Sequence, residues 1–323
     1  MSRQASIEIG LNAAIVSVRE GQPHILVTRE GDQWDALPYG PFTPFDHRTL
    51  DIGLRSWVRE QTGLELGYVE QLYTFGDRGR HAQRDDTGPH IVSVGYLALI
   101  TEDPLESLEG ASFARWYGYL PWEDWRNGKP AILTAEIEPR LKSWAEQPDQ
   151  DDSHDSVLTR PERLRICFAM DDGSDWDEEK VLERYELLYE AGLAAEAKRD
   201  GREAVKQWQN LPQLGRPMQF DHRRVLATAM SRLRGKLKYR PVIFELLPVS
   251  FTLFDLQKIV EAILGHHLHK QNFRRLVENA GLVEPTGDVS TQTGGRPAKL
   301  FRFRRDVLLE RPSTGVRMKG GKT

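Results

Sequence analysis

Apolar and polar positions alternate, or apolar residues gather in short runs bounded by turn residues, at Asn12 to Val18, His24 to Thr28, Gln71 to Phe75 and His90 to Thr101. Such runs have the period and length of β-strands. Thr49 to Thr62 and Ala135 to Trp144 instead bring apolar side chains round every three or four residues, as an α-helix with one buried stripe does. Strands interleaved with helices from Ile7 to about Gln147 predict an α/β sandwich.

The stretch Gln147 to Asp155 breaks this pattern, because it is acidic, polar and rich in turn residues and has too little apolar surface to bury. It predicts a linker. Beyond it, Arg163 to Met170 alternates as a strand would, with Cys167 as a buried thiol inside it. Glu178 to Ala197 sets Val181, Leu182, Tyr185, Leu188, Tyr189 and Gly192 at helical spacing. The expected organisation is one domain over residues 1–147, an acidic linker with a strand and an amphipathic helix over 148–217, and a second domain with a basic tail over 218–323.

The last hundred residues change character. Arg223 to Lys238 reads as a basic helix with a seam of Leu226, Met230, Leu233 and Leu237, suited to packing on its own domain or on a symmetry mate. Thr252 and Asp255 have the types of an N-cap and first-turn acid for a second helix, which Gly265 closes. A third helix from Lys270 to Ala280 is expected to turn Phe273, Leu276, Val277 and Ala280 inward and to leave Gln271, Asn272, Arg274 and Arg275 in solvent. After Gly281 come Leu282 to Glu284, a polar loop, and Gly294 to Arg304, where aromatics alternate with arginines as in a half-buried strand. Three helices followed by a strand pair with a glycine-rich loop is the order of a winged helix-turn-helix.

Composition fits a soluble globular chain: 39 % hydrophobic and 28 % charged over 323 residues. No apolar run approaches the ~18 residues of a membrane span, and Met1 to Ile9 lacks the pattern of a secretory signal, so a cytoplasmic protein without a membrane role is expected. A single cysteine makes neither an internal disulfide nor a cysteine-based zinc site. The net charge of -4 conceals a division: residues 221–323 hold 20 Lys and Arg against 9 Asp and Glu, a charge of +11, which leaves -15 for the rest. A basic module neutralises phosphates and an acidic one does something else. Charge alone does not choose between DNA, RNA and a membrane surface.

In the winged helix, Lys270 to Ala280 is the helix that enters the major groove. Arginine forks suit guanine edges or phosphates, Asn and Gln suit adenine, and lysine supplies point charge. The expected DNA contacts are Lys236, Lys270, Gln271, Asn272, Arg274, Arg275, Arg296 and Lys299, with Arg274 forked onto a base and Arg296 and Lys236 on phosphates. The basic tail, with Arg311, Arg317, Lys319 and Lys322, adds to that field. His266, His267 and His269 are assigned to the turn and phosphate-facing surface rather than to a metal, and no cofactor or metal is expected.

In the first domain, Trp34 to Gly40, a helix ending Glu60-Gln61-Thr62-Gly63, and Gln71 to Asp77 together resemble a Nudix domain. That family's box aligns from Gly63 so that Gln61 and Glu60 fall on the paired glutamates, Trp57 on the preceding glutamate and Ser56 on the arginine. Pyrophosphate hydrolysis needs carboxylates at i, i+3 and i+4 on one helix face to hold Mg²⁺ and activate water. Here Glu60 alone remains, so no catalytic residue is assigned and the box is expected to be degenerate. A cleft that binds without turnover is what a sensor needs. The candidate ligand contacts are Arg29, Trp34, Tyr39, Arg78 and Arg80, aromatic rings for a base and guanidinium groups for phosphate.

Both modules in this order resemble the Nudix-related bacterial transcriptional regulators of NAD metabolism. The resemblance rests on Leu72 to Asp77, Val92 to Leu99, Phe220-Asp221-His222, Leu233 to Tyr239, Leu246-Leu247-Pro248, Phe251-Thr252-Leu253, Asn272 to Arg275 and Gly295 to Phe301. It implies a homodimeric repressor that binds a double-stranded DNA operator and senses a nucleotide such as ADP-ribose. Two other readings belong to different classes. One is an active pyrophosphohydrolase with metal ligands relocated to Glu65, Glu70, Asp85 or Asp86. The other is an adaptor whose acidic half binds proteins and whose basic module binds RNA.

Overall fold

The structure is a computed structural model, and it describes residues 6–29, 31, 33–77, 79–80, 88–101, 110–147, 157–170, 175–239, 241–290 and 297–304. Its spine is β1 (Ile7–Arg19), whose run from Leu11 to Ser17 is wholly buried. It pairs antiparallel with β2 (Gln22–Thr28) and β3 (Tyr39–Pro41) and parallel with β5 (His90–Leu99). β4 (Tyr68–Phe75) and β6 (Ala111–Arg115) complete a six-stranded mixed sheet in the order β4-β5-β1-β2-β6, with β3 on β1. One face packs on α1 (Leu50–Thr62) through Leu54 and Val58. Thr49 caps α1 by accepting the Ile52 N–H, and Gly63 ends it in the left-handed conformation.

The other face is covered by helices that follow the sheet in the chain. A π-turn, Leu133–Ile137, leads into α2 (Glu138–Ala145). Pro139 lacks the N–H that an α-helix would require there, and the wider turn accommodates the missing bond. Arg163 to Met170 is not the strand expected, because it lies in α3 (Arg160–Phe168) and the turn after it. Thr159 and Glu162 form a reciprocal capping box, and Leu164, Cys167 and Phe168 lie at i, i+3 and i+4 on one buried stripe. Cys167 is buried as expected, and burial pushes its thiol up. The helix expected from Glu178 to Ala197 is two, α4 (Val181–Glu190) and α5 (Ala195–Arg199). Gly192, at φ 72°, turns the chain between them, where a Cβ would meet the Ala204 backbone at 2.6 Å. Residues 148–156, most of the expected linker, lie outside the described residues.

α6 (His222–Tyr239) crosses the sheet, with Val225 against Gly95 of β5. Leu226, Met230 and Leu233 of its seam are fully buried within the protomer and Leu237 packs against the same core, so the seam is not a free face for a symmetry mate. α7 (Leu253–Leu264), α8 (Lys270–Ala280), β7 (Val283–Ser290) and β8 (Ala298–Phe303) follow. The two strands pair antiparallel, and Phe251 adds a bridge to Phe301. This is a winged helix, its three helices being α6, α7 and α8. One continuous hydrophobic core runs from Ala14 of the sheet to Val277 of α8. Among the described residues, no helix is long and apolar enough to cross a membrane.

Candidate nucleic-acid interface and ligand-sensing surface

α8 starts at Lys270 and ends at Ala280, with Gly281 as its left-handed cap. Phe273 and Val277 are buried, and Gln271, Asn272, Arg274 and Arg275 are exposed as the spacing predicts. Leu276 departs from the expectation: it is 68 % exposed, because the helix meets its neighbours over a stripe too narrow to include it.

A groove of about 610 Å³ separates α8 from the wing. Lys270 and Arg274 line it from α8, Lys299 from β8, and Phe254 and Gln257 from α7 together with its N-cap Thr252. No carboxylate is among the described residues that line it. Lys270, Arg274, Arg275 and Lys299 form no ion pair with any described residue. The α7 end of the groove is held by the capping box of Thr252 and Asp255, with Thr252 N–H donating to the Asp255 carboxylate at 3.0 Å. Arg296 and the basic tail (Arg311, Arg317, Lys319 and Lys322) lie outside the described residues.

Lys236, expected on a phosphate, is instead ion-paired with Glu70 on β4 and hydrogen-bonded to Tyr68. Burial alone would raise the Glu70 carboxyl, but the hydrogen bonds from Lys236 and Tyr68 outweigh it and hold the carboxyl low. His267 is also engaged internally, its Nδ1 lying 2.9 Å from Glu261. Among the described residues, no group of three or more His, Cys, Asp or Glu is placed to hold a metal ion.

The turn before α8 is tied to the first domain by a buried charge node. Glu123 ends a short 3₁₀ turn after β6 and takes both forks of Arg184 from α4, at 2.7 and 2.8 Å, and Arg234 from α6 at 2.6 Å. All three side chains are fully buried. Two cations share one carboxylate here, and each also donates to a helix-end carbonyl, Arg184 to Cys167 of α3 and Arg234 to Ile263 of α7, at 3.0 and 2.9 Å, and to loop carbonyls at Asp177 and Glu178. Burial alone would raise Glu123, but the two arginines outweigh it and hold the carboxyl low. Tyr117 donates to the Ala262 carbonyl, and the Trp125 N–H donates to that of Gly265. Gly265 is required there: its φ is 79°, and a Cβ would stand 2.4 Å from the Glu123 carbonyl oxygen.

In the first domain, Trp57 and Gln61 hold the loop over α1. The Trp57 indole lies on Gly40, where a Cβ would clash with the ring, and Nε1 donates to the Pro41 carbonyl at 2.8 Å. Gln61 clasps the Tyr39 backbone, its Nε2 donating to the carbonyl at 2.6 Å and its Oε1 accepting the N–H at 3.2 Å.

Of the ligand candidates, Tyr39 and Arg80 meet the turn Phe220-Asp221-His222, while Trp34 lies beside Arg199. Tyr39 stands edge-on to Phe220 and His222. The Arg199 guanidinium lies 5.9 Å from the Trp34 ring, and another of its nitrogens donates to the Arg80 carbonyl. Arg80 is committed to Glu186 at 2.7 Å and Asp221 at 3.8 Å and stacks on Tyr189, which corrects its expected role as a free phosphate ligand. Arg29 is forked onto Asp35, the residue after Trp34, which Tyr119 also binds. Arg78 lies outside the described residues, as do Asp85 and Asp86. Sequence reasoning missed the node of Glu123, Arg184 and Arg234, since nothing in one sequence marks residues so far apart as partners.

An α/β sheet domain with a Nudix-like fold, joined to a winged helix, is the architecture of this chain. Residues 243–303 match the NrtR DNA-binding winged helix domain. A curated relative, the ADPR responsive transcriptional repressor NtrR of Acinetobacter baylyi, is 45 % identical over 98 residues. That match covers 30 % of this chain and 39 % of the relative's length. Over the whole chain, the fold is similar to that of Shewanella oneidensis NrtR complexed with a 27mer DNA, at 20 % identity and a TM-score of 0.54, with 92 % of this chain and 94 % of that one covered. It is also similar to a MutT/nudix family protein from Enterococcus faecalis, at 16 % identity and a TM-score of 0.51, with 94 % and 89 % covered.

Proposed function

We propose that the protein is a transcriptional repressor that binds operator DNA through α8 and the wing, while its Nudix-like domain senses a nucleotide such as ADP-ribose. The observation that carries this reading is the set of four exposed or groove-lining cations, Lys270, Arg274, Arg275 and Lys299, unpaired among the described residues within the segment similar to the NrtR winged helix. Other arginines and lysines of the basic region are neutralised internally, Arg223 by Glu196 and Lys236 by Glu70. Those four lie on α8 and the wing without a carboxylate partner among the described residues, and are available for phosphates and base edges. The relative's ADPR response supports ADP-ribose as the effector. The loop bearing Trp34 and Tyr39 is the proposed ligand surface, with Arg29 beside it. The protein acts in the cytoplasm as a homodimer, with residues 1–147 as sensor, 148–217 as connection and 218–323 as DNA-binding module.

The sensor domain is non-catalytic. Trp57 and Gln61 occupy two of the three helix positions where metal-binding carboxylates would serve hydrolysis, and both are engaged in holding the Tyr39 to Pro41 backbone. Capture of genomic fragments on the purified protein, followed by binding to the recovered site and to random DNA across a salt series, tests the reading. A preference for the recovered site with a steep salt slope supports it; equal affinity for both overturns it.

A further inference from the structure

Leu276 poses a problem that its sequence context does not solve. A leucine two-thirds exposed on a helix that otherwise buries its apolar residues gains nothing from its own fold. Its position around the helix supplies a reason. With about 100° per residue, Lys270 and Arg274 fall on one flank of α8 and Asn272 and Leu276 on the other, while Gln271 and Arg275 lie opposite the buried Phe273 and Val277. The first flank is the one that lines the cationic groove with Lys299 of the wing.

Accepting the DNA-binding reading above, on which this step rests, we propose that α8 divides its work by flank: Lys270 and Arg274 hold the DNA backbone together with Lys299, and Leu276 beside Asn272 reads an A·T pair through the thymine methyl group. The groove suits a backbone because three cations from two elements converge there with no carboxylate among the described lining residues. The far flank suits a base pair because it pairs an amide with an apolar side chain one turn apart. An amide matches the N6 and N7 edge of adenine, and an apolar side chain matches the C5-methyl of thymine, the one apolar group in the major groove. This reassigns Arg274 from base to backbone and leaves Arg275, on the outermost face, as the arginine placed to fork onto a base.

The test uses the full-length protein and the operator recovered by genomic capture. Each thymine is replaced in turn by uracil, which differs only by the lost methyl group. Wild-type protein should lose roughly fourfold in affinity at one thymine per half-site, the value of one buried methyl. Leu276→Ala should abolish that difference while keeping the wild-type oligomeric state in sedimentation. Arg274→Ala should weaken operator and random DNA alike and lower the salt slope by about 1. The inference is overturned if no uracil position distinguishes wild type from Leu276→Ala, or if Arg274→Ala loses affinity for the operator alone. It is also overturned if Leu276→Ala dissociates the protein, which would make Leu276 a contact between copies. A protein that prefers the recovered operator yet fails these tests keeps the DNA-binding reading; one with no preferred DNA loses both.

Discussion

The Leu37 N–H donates to Nδ1 of His222 at 3.0 Å, a buried hydrogen bond between residues 185 apart in sequence. Nε2 of the same ring donates to the Asn12 side chain at 2.8 Å, so the first residue of α6 is fixed to both β1 and the loop that leads to Tyr39. About 18 Å further along α6, Arg234 holds the end of α7 through the Ile263 carbonyl. One rigid helix thus connects the proposed ligand loop to the turn before α8. A ligand that shifts the Tyr39 loop acts on a helix that the winged helix shares.

The charge node should dominate stability. Removing one partner of a buried pair leaves the other uncompensated and costs about 3 to 5 kcal/mol. Glu123→Gln, which strands both Arg184 and Arg234, is expected to fall in that range in urea denaturation. Arg302→Ala, which removes an exposed pair with Glu284, should cost under about 1 kcal/mol.

Gln61→Ala removes the two bonds from its side chain to the Tyr39 backbone and should cost about 1 to 3 kcal/mol. Under the sensor reading it should also weaken ADP-ribose binding, because the loop carrying the proposed contacts is released. Thermal denaturation with and without the nucleotide separates the two effects.

Burial pushes the Asp221 carboxyl up to about 6, against the pull of Arg80 and Arg224. The unfolded group titrates near 3.9. A raised folded pKa gives stability that is complete below the unfolded value and is lost as pH rises through the folded one. The stability of wild type relative to Asp221→Asn should therefore fall between about pH 4 and pH 6 and be level above about 7. A difference that rises across that window would contradict the assignment.

Lys270→Ala and Lys299→Ala should each weaken binding to all DNA sequences and reduce the salt slope by about 1. Lys236→Ala should leave DNA binding unchanged, since its partner is Glu70 on β4. Fluorescence anisotropy across a salt series measures all three.

The sequence pattern carried the sheet domain and the winged helix because each rests on local signals: short apolar runs bounded by turn residues in β1, β2 and β5, the Thr252 and Asp255 cap, and Gly281 after α8. It misread α3 because a nine-residue helix offers only two turns of period, and Arg163 to Met170 imitates alternation. The fate of the cations was not legible at all. Lys236, Arg80 and Arg223 look like Lys270 and Arg274 in one dimension, and only the distant carboxylates Glu70, Glu186 and Glu196 distinguish them. Trp57 and Gln61 were seen as lost carboxylates, but their hold on Gly40, Pro41 and Tyr39 depends on how closely the loop approaches α1.

In the proposed function, nucleotide and operator are read by one coupled molecule. Calorimetric titration of ADP-ribose into the free protein and into its operator complex tests this directly. Thermodynamic reciprocity requires the operator to change ADP-ribose affinity by the same factor, and in the same sense, as ADP-ribose changes operator affinity. The predicted factor is about 5- to 150-fold, the usual range of such couplings. ADP-ribose binding of equal affinity in both titrations, or none in either, would contradict the claim.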